Sequence, residues 1–194
     1  MIYSEHIRLR RNERSDIPKF VEWLNDLEVR RYLSMIYPIS QVSEEQWFEN
    51  MLKLPASEQP FGIEIRDHLP KGSMVPAGAN ESWRLIGNCS YMGINWTDRS
   101  AEVGLFIGDK TCWNKGYGTE VMRLLLRFGF ETLNLNRIFL RVDEDNKGGV
   151  RAYEKAGFVH EGRFRQATYR DGKYCDLLFM SVLRSEWNAA KKAE

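Results

Sequence analysis

The chain has 194 residues, 43% of them hydrophobic and 28% charged, with 28 basic against 27 acidic residues for a net charge of +1. That composition supports one folded domain with a sizeable core, and a charge so balanced does not steer a protein to nucleic acid or to an anionic membrane. The longest charge-free run, Leu85 to Thr97, is too short to span a bilayer, and the start MIYSEHIRLRR lacks the apolar stretch of a signal peptide. The expectation is a soluble, cytoplasmic protein forming a single domain over 1–194.

In chain order, residues 6–12 alternate apolar and polar side chains and predict a strand. Asp16 offers an N-cap, with Pro18 in the first turn of a helix carrying Phe20, Val21 and Leu24, and a second short helix over 26–33 ends before Tyr37-Pro38. Ser43 and Gln46 have the capping-box spacing, which predicts a third helix starting at Ser43. A strand over 61–67 leads into 68–82, a stretch rich in Gly, Pro, Ser and Asn that reads as a mobile loop. Two further strands, 83–96 and 100–108, flank the turn Thr97-Asp98-Arg99.

Next comes a glycine-containing loop from Trp113 to Thr119, followed by an apolar helix from Glu120 to about Leu133. A strand over 137–143, a helix over 146–156 closed by Gly157, and two strands, 158–169 and 173–183, about Arg170-Asp171-Gly172 complete the order. Residues 187–194 read as a tail, of which the final KKAE is frayed. The pattern β-α-α-α-β-β-β-α-β-α-β-β predicts an α+β protein, a mixed sheet with helices on its faces.

Cys89, Cys112 and Cys175 are far apart in the sequence and fit no disulfide or metal spacing, which suggests free thiols in a reducing compartment. His6, His68 and His160 are equally scattered, so no metal is expected.

Two segments carry chemistry. The loop Trp113-Asn114-Lys115-Gly116-Tyr117-Gly118-Thr119 sits between a strand and a helix. Its glycines permit close backbone approach, the first-turn amides point at an anion, and Lys115 adds a point charge. It is neither a Walker A motif nor a GxGxxG fingerprint, and a plain tight turn would look the same. The second segment runs from Asn146 to Phe158. Asn146 and Tyr153 lie seven residues apart, two helical turns, and so share a face. Taken singly, Asn146 reads equally as an N-cap and Tyr153 as a core residue.

Together these segments, with SAEVGLFIG before them and DGKY after them, resemble the GNAT superfamily of acetyl-CoA-dependent N-acyltransferases. The branch resembled holds ribosomal-protein N-terminal acetyltransferases and spermidine or diamine acetyltransferases. The resemblance implies a mostly antiparallel sheet of about seven strands, splayed between strands 4 and 5. It implies that Phe106, Ile107 and Gly108 pair with the pantetheine arm and that 113–119 cradle the pyrophosphate. By the same likeness Asn146 bonds the pantetheine, Tyr153 is the general acid beside the thioester sulfur, and Arg151 and Lys155 lie near the CoA phosphates. Trp113 stands where the superfamily often has Gln or Arg.

Direct transfer needs a neutral amine, and Glu102 on the central strand is the candidate base through water, unless it merely pairs with a neighbour such as Arg99. Backbone amides near Leu105 are candidate donors to the thioester carbonyl, and Cys112 has no histidine partner in sequence and reads as incidental.

For the acceptor, polyamine enzymes of this branch carry acidic clusters where this chain has LSMIYP at 33–38, although Glu28, Glu44 and Glu45 are near. Tyr32, Tyr37, Trp47, Tyr91 and Trp96 are candidate pocket-wall aromatics. The reading is therefore an acetyltransferase acting on a protein N-terminus or a small-molecule amine. The alternatives are a polyamine or aminoglycoside-type enzyme and a silent acetyl-CoA-binding module. No nucleic acid or membrane partner is expected, and the edge of the final hairpin leaves a homodimer open.

Overall fold

In the computed structural model, which describes residues 1–66 and 83–193, eight strands form one sheet in the order β1-β2-β3-β4-β5-β6-β8-β7. The strands are β1 (Ile2–Tyr3), β2 (Ile7–Arg11), β3 (Phe61–Arg66), β4 (Trp83–Asn95), β5 (Ser100–Ile107), β6 (Arg137–Asp143), β7 (Val159–Arg170) and β8 (Lys173–Leu183). The helices are α1 (Ile17–Asn25), α2 (Leu27–Arg30), α3 (Gln41–Met51), α4 (Tyr117–Glu131), α5 (Lys147–Ala156) and α6 (Arg184–Ala193). The expected loop at 68–82 lies outside the described residues.

All described pairings are antiparallel except β5 with β6, whose register covers just Ser100↔Arg137, Ala101↔Ile138 and Glu102↔Phe139. Beyond Glu102 the two strands have no shared register, so their C-terminal halves part and open a cleft in the middle of the sheet. This is the expected splay between the fourth and fifth predicted strands, and the additional short strand β1 raises the count to eight.

One face of the sheet packs on α4. Val121, Leu125 and Leu126 join Tyr91, Ala101, Val103, Ile138, Leu140 and Met180 in the main core, all buried. Gly129 lets the helix lie flat here, because a Cβ there would stand 2.5 Å from Ile138 Cδ1. The Tyr91 hydroxyl donates to Leu125 O, so Tyr91 is a core residue rather than a pocket wall. On the opposite face, Phe20, Trp23 and Leu24 of α1 with Val29 of α2 form a second cluster against Leu85, Phe106 and Trp113. Gly108 is required here: a Cβ would stand 2.1 Å from the Trp23 ring.

Several boundaries differ from expectation. The third helix begins at Gln41, because Ser40 and Ser43 cap each other reciprocally: Ser43 N donates to Ser40 Oγ at 3.1 Å and Ser40 N to Ser43 Oγ at 2.9 Å. Asp16 sits at the N-cap of α1 without capping through its side chain, which instead takes a bidentate ion pair from Arg10 at 2.6 and 2.8 Å. The tail is helical, not frayed: the Trp187 ring lies 6.0 Å from Phe130, and Lys191 reaches Glu131 at 2.6 Å.

Candidate active site

The opening between β5 and β6 is a cavity of about 1030 Å³. Its walls bring together the end of β5, the loop before α4, the start of α5, α2 with the residues after it, and the ends of β7 and β8.

The loop before α4 is shaped by two left-handed residues, Asn114 at φ 58° and Gly116 at φ 88°. Glycine adopts that conformation without the steric penalty a Cβ brings, and asparagine tolerates it better than most residues. Gly116 is the N-cap of α4, so no side chain caps the helix, and its first-turn amides with the positive dipole end face the cleft. Glycine at the cap is why the helix begins at Tyr117, three residues before expectation. Asn114, Gly116, Tyr117, Gly118 and Thr119 all line the cavity. Thr119 Oγ1 donates to Ala152 O at 3.2 Å, fastening α4 to α5.

The two other members of the predicted cradle differ: Trp113 also borders the main cleft, and Lys115 does not. The Trp113 ring packs into the α1–α2 cluster and its Nε1 donates to Ile107 O at 2.8 Å, leaving the backbone alone for an anion. Lys115 lines an adjoining hollow of about 650 Å³ on the other side of the loop, with Arg123, Arg127 and Lys155. Gly116, Thr119 and Lys155 border both spaces, and Arg151 lines the main cleft.

At the end of β5, Gly108 N donates to Ile86 O at 2.8 Å. Antiparallel pairs alternate between bonded and non-bonded residues, so Phe106 and Gly104 likewise turn their backbone groups to β4. Leu105 and Ile107 then direct theirs to the β6 side, across the opening. Of the three strand-end residues predicted to meet a pantetheine arm, Ile107 alone has that orientation, with its carbonyl already engaged by Trp113. Leu105, named on chemical grounds as an oxyanion donor, has it too.

Asn146 caps α5: its Oδ1 accepts from Gly149 N at 2.9 Å. Gly149 makes room for that side chain, since a Cβ there would stand 2.6 Å from Asn146 Nδ2. The Nδ2 group keeps its donors, so capping and ligand binding are compatible. Tyr153, two turns on, packs edge-on to Phe158 and faces the same cavity. Burial pushes its hydroxyl up to about 12.

Glu102 lies at the floor of the splay, where β5 and β6 part. Its carboxylate is held in a two-point ion pair by Arg141 of β6, Nε to Oε1 at 2.8 Å and Nη2 to Oε2 at 2.9 Å. The expected alternative partner, Arg99, is not the one used; a parallel neighbour 39 residues away is invisible to local spacing. Of the candidate aromatics, Tyr32 lines the cleft, Trp47 packs beside α1, and Tyr37 and Trp96 are exposed.

Sequence reasoning missed the strap across the mouth of the cleft. Lys110 reaches Asp26 at 2.7 Å and Glu28 at 2.8 Å, tying α2 to the β5 side. On the β6 side, Tyr32 Oη donates to Asp145 O at 3.1 Å, and Arg170 Nη1 donates to Arg31 O at 2.9 Å and Leu33 O at 2.8 Å. The same Arg170 pairs through Nε with buried Asp143 at 3.0 Å.

A family profile described as "Acetyltransferase (GNAT) domain" matches residues 6–159. The uncharacterized N-acetyltransferase p20 of Bacillus licheniformis is 28% identical over 189 residues, covering 96% of this chain and 97% of that one. A spermidine N(1)-acetyltransferase of Vibrio cholerae is 30% identical over 142 residues, covering 73% and 80%. The crystal structure of the Vibrio cholerae spermidine N-acetyltransferase with CoA and spermine superposes with a TM-score of 0.80 at 26% identity, over 95% of this chain and 99% of that one.

Proposed function

The chain belongs to the GNAT acetyltransferase family, and from that premise we propose that it moves the acetyl group of acetyl-CoA to a primary amine by direct attack in a ternary complex. The observation that carries this reading is the single cleft joining an uncapped helix N-terminus, at Gly116, to a cleft-facing tyrosine hydroxyl, at Tyr153. The residues fit acetyl-CoA: a glycine turn without side chains leaves amides for a pyrophosphate, and the parted β5 edge offers backbone groups to an extended arm.

In this reading the first-turn amides of α4 hold phosphate oxygens, and Ile107 and Asn146 Nδ2 orient the pantetheine. The Leu105 amide polarises the thioester carbonyl. Glu102, fixed by Arg141, receives the acceptor's proton through water. Tyr153 acts on the leaving sulfur. With its hydroxyl near 12 and a thiol's reference value about 8.5, full proton transfer at the moment of cleavage runs uphill. Tyr153 therefore works chiefly as a hydrogen-bond donor that stabilises the thiolate, which leaves as such and takes its proton from solvent, while Glu102 returns the amine's proton to water.

The acceptor is a peptide α-amino group or a small-molecule amine. A polyamine is the second reading, favoured by the likeness to the spermidine N(1)-acetyltransferase of Vibrio cholerae. Three buried free cysteines support a reducing, cytoplasmic setting. The outer edge of β7, which carries exposed Val159 and Phe164, supports a homodimer.

CoA release from acetyl-CoA across peptides with free N-termini, spermidine and aminoglycosides, with Tyr153→Phe alongside, tests the assignment. Turnover on one class, reduced in the variant, is the expected result. Acetyl-CoA that fails to bind contradicts it.

A further inference from the structure

The part of the cleft not taken by acetyl-CoA in the proposed reading is built from α2, residues 31–34, Asn88 and Met92 of β4, the Glu102–Arg141 pair and the ends of β6, β7 and β8. An ammonium-rich acceptor needs carboxylates there, and the carboxylates present already have partners. Glu28 is held by Lys110 at 2.8 Å, Glu102 by Arg141 at 2.8 Å, and Asp143 by Arg170 at 3.0 Å. The Glu102–Arg141 and Asp143–Arg170 pairs are neutral, and Glu28 shares Lys110 with Asp26, so drawing the cation away from any of these carboxylates would leave a charge without its counter-ion.

The groups without partners are of the opposite kind. Arg31 is an exposed residue on the wall of the cleft, and among the described residues its guanidinium meets no carboxylate and makes no hydrogen bond. Its backbone is nonetheless fixed, because Arg170 holds the carbonyls of Arg31 and Leu33 on either side of Tyr32. On the facing strand the Asn88 side-chain nitrogen is shielded from solvent and has no hydrogen-bond partner. Both orphans are donors. A protonated polyamine carries donors alone, so it matches neither and brings further positive charge. An amine with a neighbouring carbonyl or carboxylate oxygen matches both, the guanidinium through a charge-assisted pair.

We infer that the acceptor is an amino-acid-type amine, a peptide α-amino group with an acidic residue close behind it, whose oxygens are received by Arg31 and Asn88. This rests on the acetyltransferase reading above. In it Arg31 determines specificity and takes no part in the chemistry.

The test is acetyl transfer to three tripeptide amides, Ala-Asp-Ala, Ala-Ala-Ala and Ala-Lys-Ala, and to spermidine, by the wild-type protein and by Arg31→Glu. Binding of the same four compounds to the protein saturated with CoA is measured in parallel. The expected order of kcat/KM is aspartyl, alanyl, lysyl, then spermidine, with about tenfold between the aspartyl and lysyl peptides. Arg31→Glu reverses that pair while the Kd for acetyl-CoA stays unchanged. Spermidine as the best wild-type substrate, or a peptide order that Arg31→Glu leaves intact, overturns the inference while leaving acetyltransfer standing. Absence of turnover on every amine fails the broader reading. The binding order, aspartyl over lysyl in wild type and reversed in the variant, then still decides the inference.

Discussion

Two helices begin at the same cleft and begin differently. The N-terminus of α5 is closed by its own sequence: Asn146 caps it at 2.9 Å, and Gly149 provides the space. The N-terminus of α4 starts from a left-handed glycine that has no side chain to offer. Helix ends need partners for their free amides, and a protein that satisfies one end by a cap and leaves a neighbouring end bare has reserved the bare one. In the proposed reading the anion therefore belongs to α4, and α5 presents side chains, Asn146 Nδ2 and Tyr153, from a capped frame.

The largest effect expected from breaking this division is on Tyr153. Tyr153→Phe keeps the α5 frame and removes the donor, so kcat falls about 100-fold while acetyl-CoA affinity holds. Because burial holds the hydroxyl near 12, it stays protonated as pH rises. The wild-type kcat profile therefore shows no tyrosine-linked fall up to about pH 10.

Next comes α4. Gly116→Val places a β-branched residue at φ 88°, where a left-handed residue costs about 1–2 kcal/mol; a Cβ there meets open space, so the effect comes through the backbone, which is driven out of the turn that presents the bare amides. The Kd for acetyl-CoA should rise roughly tenfold, a change of about 1.4 kcal/mol. At α5 the comparison is sharpened by a pair. Asn146→Ala removes the cap, worth about 1 kcal/mol, and lowers Tm by about 2–4 °C. Asn146→Asp retains the cap and loses the Nδ2 donor, so Tm holds while acetyl-CoA binding weakens. An unchanged affinity in Asn146→Asp would reduce that residue to its capping role. The smallest effect belongs to Lys115, which lies outside the main cleft: Lys115→Ala weakens acetyl-CoA binding a few-fold, and less at high salt.

The division of labour was half legible in the sequence. Glycines before a helix and the Asn146–Tyr153 spacing are local signals, and the α5 end was located to the residue through Gly157 in its left-handed position. Elements that depend on distant partners were not legible. The terminal helix exists because Trp187 finds Phe130, and β1 because it pairs with β2. The partner of Glu102 is on a strand that becomes its neighbour only when the sheet closes, and the strap over the cleft needs Arg170, Asp143 and residues 31–33 from three separate segments. The turn of the Trp113 ring away from the cradle follows from the cluster built by α1, which no spacing around residue 113 reports.

The claim that α4 is the reserved end is tested most directly by calorimetric titration of acetyl-CoA into the wild-type protein, Gly116→Val and Asn146→Ala. The account predicts that Gly116→Val loses about tenfold in affinity, with Asn146→Ala well short of that and destabilised instead. Equal affinity in Gly116→Val and wild type, with any loss confined to Asn146→Ala, would mean that the bare end of α4 holds no anion and would contradict it.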